Sequence, residues 1–245
     1  MIAANKNDIF DAVLYVYFRW LTRRRFHTIA ARGLDLLRNL PADRPAILFC
    51  NHTNWWDGVM IYLLTREMRH KAGYCMMEEK QMKHYRFFTW LGAFSVDLSS
   101  PIRSAAALRY AQRLLELNET AIVIFPQGQI CRPNAMIEVK PGTEYLAKSA
   151  PQAMLVPMAM RYDFFREDRP NALIEIGEPF LGIECTEGRI AHEVNECYGR
   201  VNQSAREQDL TDFAPLFPPH LPLNKRWEWV KLLLSGRLRE FTPTN

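Results

Sequence analysis

The sequence is poor in the features that would mark a secreted, metal-binding or membrane-spanning protein. Its 245 residues hold five cysteines, Cys50, Cys75, Cys131, Cys185 and Cys197, odd in number and with no Cys-x-x-Cys pair. Neither a zinc site nor a disulfide framework is indicated, which suits a reducing cytosol. The opening MIAANKNDIF has no basic segment followed by an apolar core and a small-residue cleavage site, so no secretory signal is expected. The apolar run from Ile9 to Leu21 is only 13 residues long and contains Asp11 and Arg19, whereas a bilayer-spanning helix needs ~20 apolar residues. Repeats and low-complexity tracts are lacking too. Net charge is small at +4, and it is unevenly placed: residues 1–40 carry seven Lys/Arg against three Asp, and the rest carries 24 of each sign. A nucleic-acid binder would spread or stripe basic charge over its body, so no nucleic-acid partner is expected. With 48% hydrophobic and 24% charged residues and a mean hydropathy of −0.22, the chain is too apolar for disorder and too polar for a polytopic membrane protein.

What is present begins with a basic head. Asp8, Asp11, Tyr15, Arg19 and Thr22 recur at three- and four-residue steps, a narrow polar stripe on a helix, and Ile9, Phe10, Val13, Leu14, Tyr17, Phe18, Trp20 and Leu21 fill the remainder. Arg23, Arg24 and Arg25 follow at once. Such a helix either packs on its own domain or lies in a membrane interface with its arginines on anionic headgroups. The expectation is membrane association through residues 9–25. Near the other end, Lys225, Arg226, Trp227, Trp229, Lys231, Leu232, Leu233, Leu234, Arg237 and Arg239 repeat the mixture, read as a terminal helix docked on the core. The division expected is residues 1–40 as a membrane-association segment, 41–214 as the body, and 215–245 as a Pro-rich linker and amphipathic helix.

The body alternates strands with helices. Ala46–Cys50 and Ala121–Phe125 are apolar runs that read as buried strands, with further strands at 73–77, 94–97, 154–160 and 173–176. Ser100-Pro101 is a helix start signal, an N-cap serine before proline at the first helical position. Helices are expected at 59–65, 81–90, 101–117, 143–149 and 187–206. This pattern defines a single α/β domain with a mostly parallel sheet flanked by helices and an amphipathic helical segment at its N-terminus.

Two loops carry candidate chemistry. Asn51-His52-Thr53-Asn54-Trp55-Trp56-Asp57-Gly58 follows the first apolar strand, where open α/β sheets place their ligand crevice. Asp57 is close enough to accept from the His52 Nδ1–H, which would fix the tautomer and leave Nε2 as a base for a hydroxyl. The plainer alternative is a polar loop in which Asp57 caps the next helix. Phe125-Pro126-Gln127-Gly128 ends the strongest strand, and its tight turn would offer backbone N–H groups to an anion or oxyanion.

Four blocks then match in order. They are Asn51-His52 with Asp57, Gly92 with Asp97, the run Phe125-Pro126-Gln127-Gly128-Gln129-Ile130, and Val156-Pro157-Met158 preceded by Lys140, Gly142, Leu146 and Ala147. Over roughly residues 45–180 the sequence resembles the glycerolipid acyltransferases of the 1-acylglycerol-3-phosphate (PlsC) type. The resemblance implies a glycerol-3-phosphate acyltransferase-like fold and an O-acyltransferase that moves a fatty acyl group from an acyl thioester to a lipid hydroxyl. It implies His52 as general base oriented by Asp57. Substrate contacts would come from Asn51, Pro126, Gln127 and Gly128. The donor would be acyl-CoA or acyl carrier protein, with no metal or other cofactor. The expected place is cytoplasmic, peripheral on the inner face of the membrane.

The departures from the pattern concern the acceptor. The family places Arg after the second-block Asp and at the end of the third block, where they hold the acceptor phosphate; here those positions are Leu98 and Ile130, and the third-block Glu is Gln127. An Arg–phosphate contact is not easily replaced, so an acceptor other than simple lysophosphatidate is expected. The alternatives are a conventional lysophosphatidate enzyme in which Arg103 or Arg132 substitutes, a non-catalytic lipid-binding relative, and an acyl-thioesterase. Lys80, Lys83, Arg86, Arg103, Arg109 and Arg113 form a basic cluster suited to membrane, coenzyme A or carrier-protein phosphates, or to plain solvent. Trp55, Trp56, Phe87, Phe88, Trp90 and Phe94 line an acyl tunnel or belong to the core.

Overall fold

Strands that are buried on both faces must be apolar throughout, and the central strands of this chain are. The computed structural model describes residues 1–220 and 223–235. Along the chain run α1 (Asp8–Arg25), β1 (Ile29–Arg32), α2 (Leu34–Arg38), β2 (Ala46–Cys50), α3 (Trp56–Thr65), β3 (Ala72–Glu78) and α4 (Glu79–His84). A 3-10 turn over Arg86–Leu91 leads to β4 (Ala93–Val96), α5 (Pro101–Leu114), β5 (Thr120–Ile124), α6 (Pro141–Lys148), β6 (Met154–Asp163) and β7 (Asn171–Ile176). The remainder is β8 (Phe180–Leu181), α7 (Arg189–Glu207), β9 (Ala214–Pro215) and α8 (Leu223–Leu234).

Among the described residues, all nine strands join one sheet in the order β4-β3-β5-β2-β6-β7-β1-β9, with β8 beside β6. The five strands from β4 to β6 are parallel, so their carboxyl ends share one edge. β7 runs against β6, and β1 runs parallel to β7. Alternation along β2 sorts its residues between two cores. Ile47 and Phe49 face Ala111, Leu146 and Val194 of α5, α6 and α7. Ala46, Leu48 and Cys50 face Leu37, Met60 and Leu64 of α2 and α3, with Phe18 of α1. The expected fold class is the one observed.

Two boundaries differ from the sequence expectation. Residues 29–32, assigned to the basic head, form β1 and pair with β7 from Ile29↔Ala172 to Arg32↔Glu175. The four-residue run is too short for periodicity to reveal it. The stretch assigned to a linker after 214 begins as β9, pairing Ala214 with Ala31 and Pro215 with Ala30. Its proline sits on the sheet edge, where no ladder donor is needed. The sheet therefore closes over both supposed boundaries.

Of the polar stripe of α1, Asp11, Tyr15 and Thr22 face inward, while Asp8 and Arg19 are exposed. Thr22 is buried and donates to the Phe18 carbonyl at 2.7 Å. Asp11 binds the guanidinium of Arg66 and accepts from the Tyr62 hydroxyl at 2.8 Å. Phe18 packs edge-on against Tyr62. The opposite face leaves Ile9 80%, Val13 60%, Val16 66% and Trp20 51% exposed. The helix therefore docks on its own domain and leaves an apolar outer face exposed. Among the described residues, no helix is long and apolar enough to cross a membrane. On α8, Lys231 lies over the Trp227 ring. The side chains of Lys225, Arg226 and Trp229, and all of Arg237 and Arg239, lie outside the described residues.

Candidate active site

The site forms at the shared carboxyl edge of the parallel strands, where loops leave the sheet and the crevice of an open α/β fold lies. β2 delivers His52, β5 delivers the Phe125–Gly128 turn, β4 delivers Asp97 and Leu98, and the far end of β6 delivers Tyr162. His52 and Asp57 come together as expected: Nδ1 lies 2.8 Å from Asp57 Oδ2. The same oxygen accepts the backbone N–H groups of Thr53 at 2.5 Å and Asn54 at 2.9 Å. Asp57 therefore folds its own loop around itself while holding the imidazole. It is fully buried, and its other oxygen accepts the Tyr162 hydroxyl at 2.7 Å. A buried carboxylate tolerates its charge only when its lone pairs are occupied, and here four donors occupy them.

Tyr162 had no signal in the sequence, because it lies 105 positions from Asp57 and reaches it only through the β2–β6 pairing. Burial, chiefly, and the neighbouring Asp57 charge push its hydroxyl well above the usual tyrosine range, so it stays protonated and donates. The His52 ring lies nearly parallel on Phe125, with centroids 4.2 Å apart. Orientation is thus fixed by a hydrogen bond on one ring edge and a stack on one face.

The remaining expected residues divide. Asn51 is buried and brackets β6, its amide donating to the Met160 carbonyl at 2.9 Å and its oxygen accepting the Met160 N–H at 2.7 Å. Gln127 is buried, and its Oε1 accepts the His52 N–H at 2.8 Å. Both residues tie the loops together and do not line the cavity. The Gln127 contact requires an acceptor oxygen, which glutamine and glutamate supply equally. Gly128 adopts φ +69°, and its N–H closes the turn onto the Phe125 carbonyl at 2.9 Å. That donor is therefore already used. The N–H groups of Gln129 and Ile130, both on the cavity, have no protein partner among the described residues. Arg103 and Arg132, expected at the substrate, do not line the cavity. Arg103 pairs with Asp97 at 3.0 Å on the surface, and Arg132 is exposed.

The cavity has a volume of about 830 Å³ and runs from His52 and Pro126 along β3, past Tyr74, Cys75, Met76 and Phe88. That is the upper range for ligand pockets. Of the expected aromatic residues, Trp55 and Phe88 line it, Phe94 is core, and Trp90 packs edge-on against Phe10 of α1. Exposed Trp55, Tyr85, Leu98 and Ile130 make its rim apolar. Among the described residues, no cluster of three or more His, Cys, Asp or Glu is placed to hold a metal ion.

A histidine held by a buried carboxylate beside a large apolar cavity can take a proton from a hydroxyl of an apolar substrate. The sequence matches the Acyltransferase family over residues 34–161, just over half of the chain, and the chain belongs to that family. Among solved structures, the fold is similar to the 1-acyl-sn-glycerophosphate (LPA) acyltransferase PlsC from Thermotoga maritima. The TM-score is 0.56 at 18% identity, over 81% of this chain and 79% of the other. No curated protein matches the sequence. The protein is an acyltransferase with a PlsC-like fold.

Proposed function

We propose that this acyltransferase moves a fatty acyl group from a thioester of coenzyme A or acyl carrier protein to a hydroxyl of a lipid acceptor, with His52 as general base. One observation carries the reading: His52 gives Nδ1 to a buried, fully hydrogen-bonded Asp57 and lines a large apolar cavity. Nδ1 then carries the proton, and Nε2 is the free base. As the acceptor hydroxyl attacks the thioester carbon, Nε2 takes its proton. Asp57 stabilises the resulting imidazolium, and the cavity-lining N–H groups of Gln129 and Ile130 would donate to the developing oxyanion. Collapse breaks the carbon–sulfur bond, and the leaving thiolate recovers the proton from His52. The products are an ester and a free thiol, with no acyl-enzyme required.

The positions where relatives hold a phosphate are Leu98 and Ile130 here, on the cavity rim, while Arg103 and Arg132 stand outside the lining. This supports an acceptor other than simple lysophosphatidate. The outer face of α1, apolar and closed by Arg23, Arg24 and Arg25, suits insertion into an anionic membrane surface. That supports a peripheral membrane enzyme, expected on the cytoplasmic face. Mass spectrometry after incubation with acyl-CoA, acyl carrier protein thioesters and a panel of lysolipids and lipid alcohols tests the reaction. Acylated lipid formed by wild type and lost in His52→Ala is expected. Free fatty acid with no acylated lipid would make the enzyme a thioesterase.

A further inference from the structure

Among the described residues lining the cavity, the Asp, Glu, Lys and Arg side chains are two, Glu78 and Lys140. Neither side chain has a hydrogen-bond or ion-pair partner among the described residues, and they do not pair with each other. The adjacent Glu79 behaves differently. It is bound by Lys83 at 3.1 Å, with Ser95 at 3.5 Å, and faces away from the cavity lining. Glu78 is thus the half-buried carboxylate that the fold leaves unneutralised, and it stands in the substrate space.

Its height in the sheet is set by register. Cys75 of β3 pairs with Val123 of β5, and Val123 pairs with Leu48 of β2. Counting three residues on along each strand brings Glu78 level with Pro126 and with Asn51, the residue before His52. Laterally β3 and β2 are two strands apart, ~10 Å at the usual spacing. A hydroxyl held at His52 and a polar head reaching toward β3 would bring that head to Glu78. The intervening wall offers no arginine: Leu98 packs against the Gly128 turn, with its Cδ1 3.2 Å from where a Cβ on Gly128 would lie, and Ile130 lines the same side. Lys140 is the one cation on this lining among the described residues; its stem fills the space at Gly128, and it forms no ion pair with Glu78.

We infer that Glu78 selects the acceptor by its head group. It accepts hydrogen bonds from head-group hydroxyls or an ammonium and repels a phosphate monoester. The inference rests on the lipid-acyltransferase reading above. Hydrogen bonds to a charged acceptor are stronger than neutral ones, and a carboxylate accepts but never donates, so donor-rich heads gain and anionic heads lose.

Steady-state kinetics on full-length protein test this with three lysolipids on one acyl chain: a glycosyl head, an amine-bearing head, and the phosphate monoester of lysophosphatidate. Wild type is expected to favour a donor-bearing head, and the ratio of the first two arms tells hydroxyl from ammonium recognition. Glu78→Gln should raise KM for that acceptor about tenfold with KM for the acyl thioester unchanged. Glu78→Lys should shift preference toward lysophosphatidate. A loss of stability would move both KM values together, and unchanged melting of Glu78→Gln separates folding from recognition. Acyl transfer that depends on His52 while Glu78→Gln and Glu78→Lys keep the wild-type acceptor ratios overturns the inference alone. Absence of acyl transfer by wild type to every acceptor overturns it together with the reading beneath it.

Discussion

Replacing Tyr162 with phenylalanine removes a single hydroxyl, the one that meets the buried Asp57. That hydroxyl is the donor to Asp57 Oδ1, at 2.7 Å; the other three donors all meet Oδ2. Asp57 is 0% exposed, so water does not readily replace the lost partner. A hydrogen bond to a charged group contributes about 1.5–3 kcal/mol. For a domain of this size each kcal/mol moves the melting temperature by about 2–4 °C, so Tyr162→Phe should melt about 3–12 °C lower. The rate should fall too, because the imidazolium formed in the transition state makes the greatest demand on the Asp57 charge. A tenfold loss of kcat with KM values little changed corresponds to about 1.4 kcal/mol of that interaction. Alkaline titration supplies a second readout. The Tyr162 hydroxyl is raised in the fold, first by burial. Its contribution to stability is therefore present below the ordinary tyrosine pKa of about 10 and is lost as pH rises beyond it. Tyr162→Phe should lose less stability across that alkaline range than wild type. Differential scanning calorimetry and initial rates check both effects. A variant with wild-type melting temperature and wild-type kcat would refute the view that Tyr162 holds Asp57.

Gln127→Ala should weaken the His52 loop by about 1 kcal/mol and lower kcat, whereas Gln127→Glu keeps the acceptor oxygen and should melt close to wild type. Calorimetry with initial rates separates the two. Replacing Ile9, Val13, Val16 and Trp20 with serine should reduce sedimentation with anionic vesicles while leaving melting nearly unchanged, because these side chains are exposed. Equal sedimentation would return that face to ordinary surface. Truncating residues 1–40 is a poorer test, since it takes β1 out of the sheet. Burial pushes the thiols of Cys75 and Cys197 up to about 12 and that of Cys50 well above its ordinary range. Maleimide at neutral pH should therefore label Cys131 ahead of these three in native protein, and peptide mass spectrometry reads the order.

Much of this site was legible because its two loops follow strands that are apolar without interruption, and such strands can only be central. His52 and Asp57 are five residues apart, near enough for spacing to suggest their contact. Tyr162 was invisible for the opposite reason: its partner is set by strand pairing, which no local pattern encodes. Gln127 and Asn51 were placed at the substrate by resemblance, yet Asn51 spends both amide atoms on the backbone of Met160 and Gln127 its oxygen on the His52 N–H. The periodicity of α1 showed a polar stripe but not which way it faces, because that depends on partners distant in sequence. Arg66, Tyr62 and the Phe18 carbonyl give Asp11 and Thr22 partners inside. β1 and β9 escaped because short edge pairings carry almost no periodicity.

The central claim is that His52, oriented by Asp57, is the base that activates the acceptor hydroxyl. Its most direct test is the rate of thiol release from an acyl thioester in the presence of the best acceptor, measured for wild type, His52→Ala and Asp57→Asn. The account predicts a loss on the order of 10²–10⁴-fold for His52→Ala and a large loss for Asp57→Asn, with the acyl thioester still bound by both variants. Acceptor-dependent thiol release by His52→Ala at the wild-type rate would contradict it.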